Sequence, residues 1–152
     1  MNVNRRQALG LAAGAAAVVV AGPAVVPAFA KQKETAADAI KAFTGGAEAK
    51  SGKISLSTPE IAENGNTVPV AFDVESPMTS DNHVQEVLVL ADGNPRPGVA
   101  TFRFSELSGE AAASTRIRLA KTQNVIAVAK MSDGSFYMDK KLVKVTIGGC
   151  GG

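Results

Sequence analysis

Among its 152 residues the sequence has no tryptophan, one tyrosine, one histidine (His83) and one cysteine (Cys150). A single cysteine rules out a disulfide within the chain. One His and one Cys leave any metal site to be completed by carboxylates, yet the acidic residues are scattered singly, without ligand spacing. Aromatic residues make up only 5%, and 16 Lys and Arg stand against 14 Asp and Glu. Without Arg5 and Arg6, argued below to be removed, the balance is 14 against 14, which leaves no net charge. A neutral chain with few aromatics has neither the cationic footprint nor the stacking surface of a nucleic-acid binder. A phosphate-binding glycine loop is also missing: Gly148 to Gly152 follows a strand-like run, but the chain ends before a helix could begin.

No apolar run is long enough for a membrane span. The N-terminus reads "MNVNRRQALGLAAGAAAVVVAGPAVVPAFAK", with Arg5 and Arg6 before an uncharged stretch from Ala8 to Ala30. Its densest apolar part, Leu9 to Ala21, falls short of the roughly 20 residues a span requires. The stretch ends in Ala28-Phe29-Ala30, the small-x-small pattern of a signal-peptidase site. Residues 1–30 are therefore expected to be a cleaved export signal, leaving Lys31 as the new N-terminus. The arginine pair and the weak Ala/Gly-rich apolar stretch resemble a twin-arginine leader, with Asn4 and Ala8 where Ser/Thr and Phe are usual. The expected location is the periplasm. In such an oxidising compartment, a cysteine without a partner in its own chain points to an intermolecular bond or a reactive thiol.

The body, residues 31–147, reads as one all-β domain with a short helix before it. Ala36, Ala37, Ile40 and Phe43 fall at helical spacing before Gly45-Gly46, predicting a helix over about Glu34 to Thr44. From Gly52 on the period is two. Val68, Val70, Phe72 and Val74 alternate with polar or small residues, as do Ala100, Phe102 and Phe104, and Thr115, Ile117 and Leu119. Val84 to Ala91 and Val125 to Met131 are denser, as suits strands buried on both faces. Phe136 to Met138 and Leu142 to Ile147 form the last strand or pair, with Val143, Val145 and Ile147 as an apolar face anchored up to Ile147. The intervening turns are Glu63-Asn64-Gly65-Asn66, Asp92-Gly93-Asn94-Pro95, Ser108-Gly109 and Ser132-Asp133-Gly134, the last marking a hairpin. About seven short strands at this spacing predict an immunoglobulin-like β-sandwich.

The chain ends in Gly148-Gly149-Cys150-Gly151-Gly152. Glycines on both sides of the only thiol predict a thin, flexible C-terminal arm, residues 148–152, whose Cys150 reaches roughly 10 Å past Ile147 when extended. An unperturbed thiol has a pKa of about 8.5, and no neighbour in sequence activates this one. Such an arm suits a covalent carrier whose chemistry is performed by the proteins that receive it. His83 follows the turn Thr79-Ser80-Asp81-Asn82 and reads as a loop or strand-edge residue; a Cys150–His83 enzyme is the competing possibility. Lys140, Lys141 and Lys144 read as a solvated strand face, and Met78 and Met138 as packing residues.

The terminal "GGCGG", the leader and the stretch "VPVAFDVESPM" (Val68 to Met78) resemble the SoxY family, sulfur carriers of the bacterial sulfur-oxidation system. The resemblance implies a periplasmic heterodimer with a SoxZ-like β-sandwich subunit. It implies that Cys150 bears thiosulfate-derived sulfur, passing through S-thiosulfonate and persulfide states. It implies three further partners: a c-type cytochrome complex, a sulfate-releasing hydrolase and a sulfane dehydrogenase. The chain itself is expected to hold no cofactor or metal, catalyse nothing and bear no membrane anchor. Two other functions fit parts of the sequence. One is an exported immunoglobulin-like interaction module that uses Cys150 for an intermolecular disulfide. The other is a sulfur carrier that loads a thiocarboxylate on the terminal Gly151-Gly152.

Overall fold

The computed structural model describes residues 33–149, so the expected leader and its Arg5, Arg6, Ala28 and Ala30 lie outside the described residues, as do Cys150, Gly151 and Gly152. The first element is helix α1, Ala36–Thr44. Thr35 caps it: its hydroxyl oxygen accepts from the Asp38 amide, and the Asp38 carboxylate accepts from the Thr35 amide at 3.1 Å. This reciprocal pair satisfies two of the amide groups left open at a helix start. The helix stops at Gly45, which takes φ 65°, a left-handed conformation that glycine adopts without steric penalty.

Nine strands follow among the described residues: β1 Ala49–Lys50, β2 Ile54–Ser57, β3 Ile61–Asn64, β4 Val68–Val74, β5 Val84–Ala91, β6 Gly98–Arg103, β7 Ala111–Ile117, β8 Gln123–Met131 and β9 Phe136–Ile147. They form two sheets. The smaller has the order β2-β4-β7, antiparallel throughout. The larger has the order β1-β9-β8-β5-β6, with β3 also paired to β9. The two segments expected to make the last strand or pair are one continuous strand of 12 residues. Its length lets two short parallel strands share it. β1 pairs at Phe136 and Tyr137, and β3 pairs from Lys144 to Ile147.

Between the sheets lies the main core. It takes Val68, Val70, Phe72 and Val74 from β4, Val87, Val89 and Ala91 from β5, and Val125, Ala127 and Ala129 from β8. Phe72 sits at its centre with its ring edge-on to Phe102 and Phe104, at centroid distances of 5.1 and 6.2 Å. The opposite face of the larger sheet is covered by α1, where Ala36, Ala39, Ile40 and Phe43 pack on Leu90, Ile126, Val128 and Phe136. This explains the dense apolar runs of β5 and β8: both faces of these strands are buried, one under the second sheet and one under the helix. No helix among the described residues is long and apolar enough to cross a membrane.

Candidate functional site

The last described residues, Gly148 and Gly149, are held against other backbone, which corrects the expectation for the first two residues of the arm; Cys150, Gly151 and Gly152 lie outside the described residues. Ile147, expected as the last buried anchor of β9, is 66% exposed, whereas Gly149 is buried. After β9 the backbone turns inward and docks on two other segments. The Gly65 amide donates to the Ile147 carbonyl (2.7 Å), the Leu119 amide donates to the Gly65 carbonyl (2.8 Å), and the Gly149 amide donates to the Leu119 carbonyl (2.8 Å). Three backbone hydrogen bonds thus tie the β3–β4 turn, the β7–β8 connection and the C-terminal segment together.

The glycines in this knot are required by lack of space. A Cβ on Gly65 would overlap the Leu119 carbonyl oxygen and come within 2.7 Å of the Gly149 nitrogen. On Gly149 it would lie 2.6 Å from the Gly65 oxygen, and on Gly148 it would overlap the Ala120 oxygen. Neither Gly148 nor Gly149 is among the glycines at positive φ. Gly148 and Gly149, expected as the mobile base of an arm, are instead places where backbone meets backbone too closely for any side chain.

The receiving segment is itself braced. The Asn94 amide group donates to the Arg118 carbonyl (2.8 Å), and its oxygen accepts from the Ala120 amide (3.0 Å), so it grips both sides of Leu119. The Gln123 side-chain nitrogen donates to the same Asn94 oxygen (2.9 Å) and to the Lys121 carbonyl (3.0 Å), and its oxygen accepts from the Gly93 amide (2.7 Å). Each of the two side chains is 4% exposed. Burying two amides is unfavourable unless their polar atoms are matched, and no buried side-chain nitrogen or oxygen among the described residues lacks a partner. Thr122 adds a bond from the Val145 amide at 3.0 Å. Sequence reading finds Asp92-Gly93-Asn94-Pro95 and Glu63-Asn64-Gly65-Asn66 only as turns. That they meet the residues after β9 is a fact of topology, with no local pattern to announce it.

His83 lies elsewhere. Its backbone is bonded to Ser132, with Ser132 amide to His83 carbonyl at 2.8 Å, and its Nδ1 is 3.0 Å from the Thr79 carbonyl oxygen. Ser132 follows one end of β8, while Leu119, to which Gly149 is bonded, precedes the other. At about 3.3 Å per residue the nine-residue strand separates these ends by about 26 Å. Gly149 and His83 thus lie toward opposite ends of β8, an arrangement that does not bring the segment entering Cys150 to His83.

Among the described residues no group of three or more His, Cys, Asp or Glu side chains comes together. Lys140, Lys141 and Lys144 are exposed on β9 and Met78 is buried in the core, as expected for a solvated face and a packing residue. A shallow groove of about 580 Å³ lies against Pro69, Ala71, Ser114 and Arg116 of β4 and β7, and its lining offers no thiol, imidazole or carboxylate.

Among curated proteins there is no sequence match. The family described as Sulfur oxidation protein SoxY matches residues 40–150. In structure the chain is similar to the sulfur carrier protein SoxY from Chlorobium limicola f thiosulfatophilum, with a TM-score of 0.61 and 32% identity over 71% of this chain and 89% of that one. It is also similar to the superoxide reductase (neelaredoxin) from Ignicoccus hospitalis, with a TM-score of 0.56 and 15% identity, covering 62% of this chain and 80% of that one. That second likeness concerns the fold alone. A family match that spans most of the chain and reaches the terminal cysteine, joined to a solved relative of the same fold, gives the assignment: the chain belongs to the SoxY family of sulfur oxidation proteins.

Proposed function

We propose that the chain is a periplasmic carrier that holds thiosulfate-derived sulfur on Cys150 and presents it to the enzymes of the sulfur-oxidation pathway. The observation that carries this reading is the sole thiol of the sequence, placed at the end of the chain directly after a backbone knot whose glycines leave no room for side chains. The solved relative is described as a sulfur carrier, and a carrier needs one nucleophile at an accessible terminus and no catalytic apparatus of its own. Loading joins the Cys150 sulfur to the outer sulfur of thiosulfate. The thiol proton is released, and an electron pair passes to an oxidant of the c-type cytochrome class. Water then attacks the sulfonate sulfur; sulfate and a proton leave, and a persulfide remains on Cys150. Persulfide is an established reversible state of cysteine. The leader supports export before loading, and the family supports a SoxZ-like partner.

Cys150→Ser tests this directly. The variant is expected to fold with the parent's thermal midpoint and to abolish thiosulfate oxidation in a reconstituted pathway. Parent-like turnover by the variant would sink the carrier reading. The same variant separates the thiocarboxylate alternative, because a chain loaded on the Gly152 carboxyl would still take up sulfur without Cys150.

A further inference from the structure

We propose that Gly65 and Asn94 are positioning residues for the Cys150 thiol: they lock the chain at Gly149, so that Cys150 is the first residue beyond a fixed point. The inference rests on the carrier reading and concerns residues far from the cysteine in sequence.

Three observations point the same way. Gly65 uses both backbone groups in the knot, its amide on Ile147 and its carbonyl on Leu119. It is buried, it is not at positive φ, and the space a Cβ would need is filled by the Leu119 oxygen and the Gly149 nitrogen. Its glycine character is therefore spent on receiving the C-terminal segment. Asn94 bridges Arg118 and Ala120, the two neighbours of Leu119, whose carbonyl accepts the Gly149 amide. Gln123 fixes the Asn94 amide in turn at 2.9 Å. The path runs from the buried amide pair by hydrogen bonds to Arg118 and Ala120, along the backbone to Leu119 between them, and by one more hydrogen bond to Gly149. The next atom group in the chain belongs to Cys150.

The consequence is a limit on how much of the terminus an enzyme must order. An enzyme that takes the thiol into its site fixes only the residues beyond Gly149, because Gly148 and Gly149 are already fixed by this chain. Each further backbone residue that has to be ordered on capture lowers the capture equilibrium by about five- to thirty-fold. Pre-organisation of this kind strengthens association without adding any contact to the partner.

Two variants test it. Gly65→Ala opens the knot. Insertion of two glycines between Gly149 and Cys150 leaves the knot intact and moves the thiol away from it, so this second variant cannot disturb the sandwich. Gly98→Ala, with no atom within 4 Å of the added Cβ, is the control. Amide hydrogen exchange is read first. In the parent, positions 65, 119 and 149 should be protected. In Gly65→Ala all three should exchange rapidly, while Val87 and Val125 of the central strands remain protected. Loading with thiosulfate by the cognate cytochrome complex is read next, with the carrier as the varied substrate. Both test variants should show kcat/KM lowered about tenfold or more, through KM with kcat little changed, and the control should match the parent. The rate of Cys150 alkylation by iodoacetamide, which needs no pocket, should be unchanged in all. An unprotected Gly149 amide in the parent, or parent-like KM in the two-glycine insertion, overturns the positioning role while leaving the carrier reading intact. A parent with protected amides whose Cys150 takes up no sulfur overturns the carrier reading, and this inference with it.

Discussion

Gly148 and Gly149 show how one residue type serves two physical purposes that a sequence alone does not separate. Glycines beside a terminal thiol suggest freedom of motion, and here the freedom they supply is of space. Alanine distinguishes the two. Were the glycines present only for mobility, Gly149→Ala would leave the thermal midpoint unchanged or raise it, since the unfolded chain would lose entropy. With the Gly65 oxygen 2.6 Å from the added Cβ, the substitution forces the last residues off Leu119. A drop of about 1 kcal/mol is expected, the worth of one backbone hydrogen bond, because undocking relieves the clash and caps the loss. Chemical denaturation of the parent and of Gly148→Ala and Gly149→Ala checks this; a raised midpoint in the alanine variants would restore the mobility account. Cys150 stands out in the sequence as its sole thiol, and its role remains the proposal made above. Gly65 and Asn94 do not stand out, since their partners are brought to them only by the pairing of strands distant in sequence.

At the scale of elements, periodicity decided what could be read. β4, β5 and β8 carry enough alternating or continuous apolar residues to be placed within a residue or two, and the Asp133-Gly134 turn marks the β8–β9 hairpin. β1 and β3 offer no period, being two and four residues added in parallel to the edge of β9, with Ile61 exposed. Strands that exist because a long neighbour offers an open edge leave little trace in their own sequence. The helix was legible from its spacing, and its purpose as cover for Leu90, Ile126 and Val128 follows from the double-sided burial of β5 and β8. Its cap yields a prediction in two steps. Thr35→Ala should cost about 1 kcal/mol. The hydroxyl and amide of Thr35 hold the Asp38 carboxyl below the ordinary carboxylate value. A carboxyl with a lowered folded pKa contributes stability that is present above about pH 4 and is lost as pH falls through the folded value. The first turn of α1 should therefore open in acid before the sheets do. Amide exchange of residues 36–39 followed from pH 6 downward tests it, and Asp38→Asn should flatten the profile. A parent profile as flat as that of the variant would show that the cap does not couple to pH.

At the scale of the whole described domain, a scarcity of aromatics is offset by their placement: Phe43, Phe72, Phe102, Phe104 and Phe136 all sit in edge-on ring contacts at the two buried layers. The immunoglobulin-like sandwich was legible from strand spacing; the division of strands between sheets, with β9 serving both β1 and β3, required the structure. The sandwich keeps open strand edges, which proteins of this kind cover or blunt, and the family reading expects a SoxZ-like β-rich subunit to do so. The mature chain from its native compartment should sediment as a heterodimer, and a stable lone monomer would contradict that expectation. The carrier account as a whole turns on the chemical state of one sulfur. The measurement that tests it most directly is the intact mass of the mature chain isolated from cells oxidising thiosulfate, followed by peptide mapping. The account predicts added sulfur or thiosulfonate mass localised to Cys150, removed by a thiol reductant and absent from Cys150→Ser. A terminal peptide that stays unmodified while thiosulfate is being consumed would contradict it.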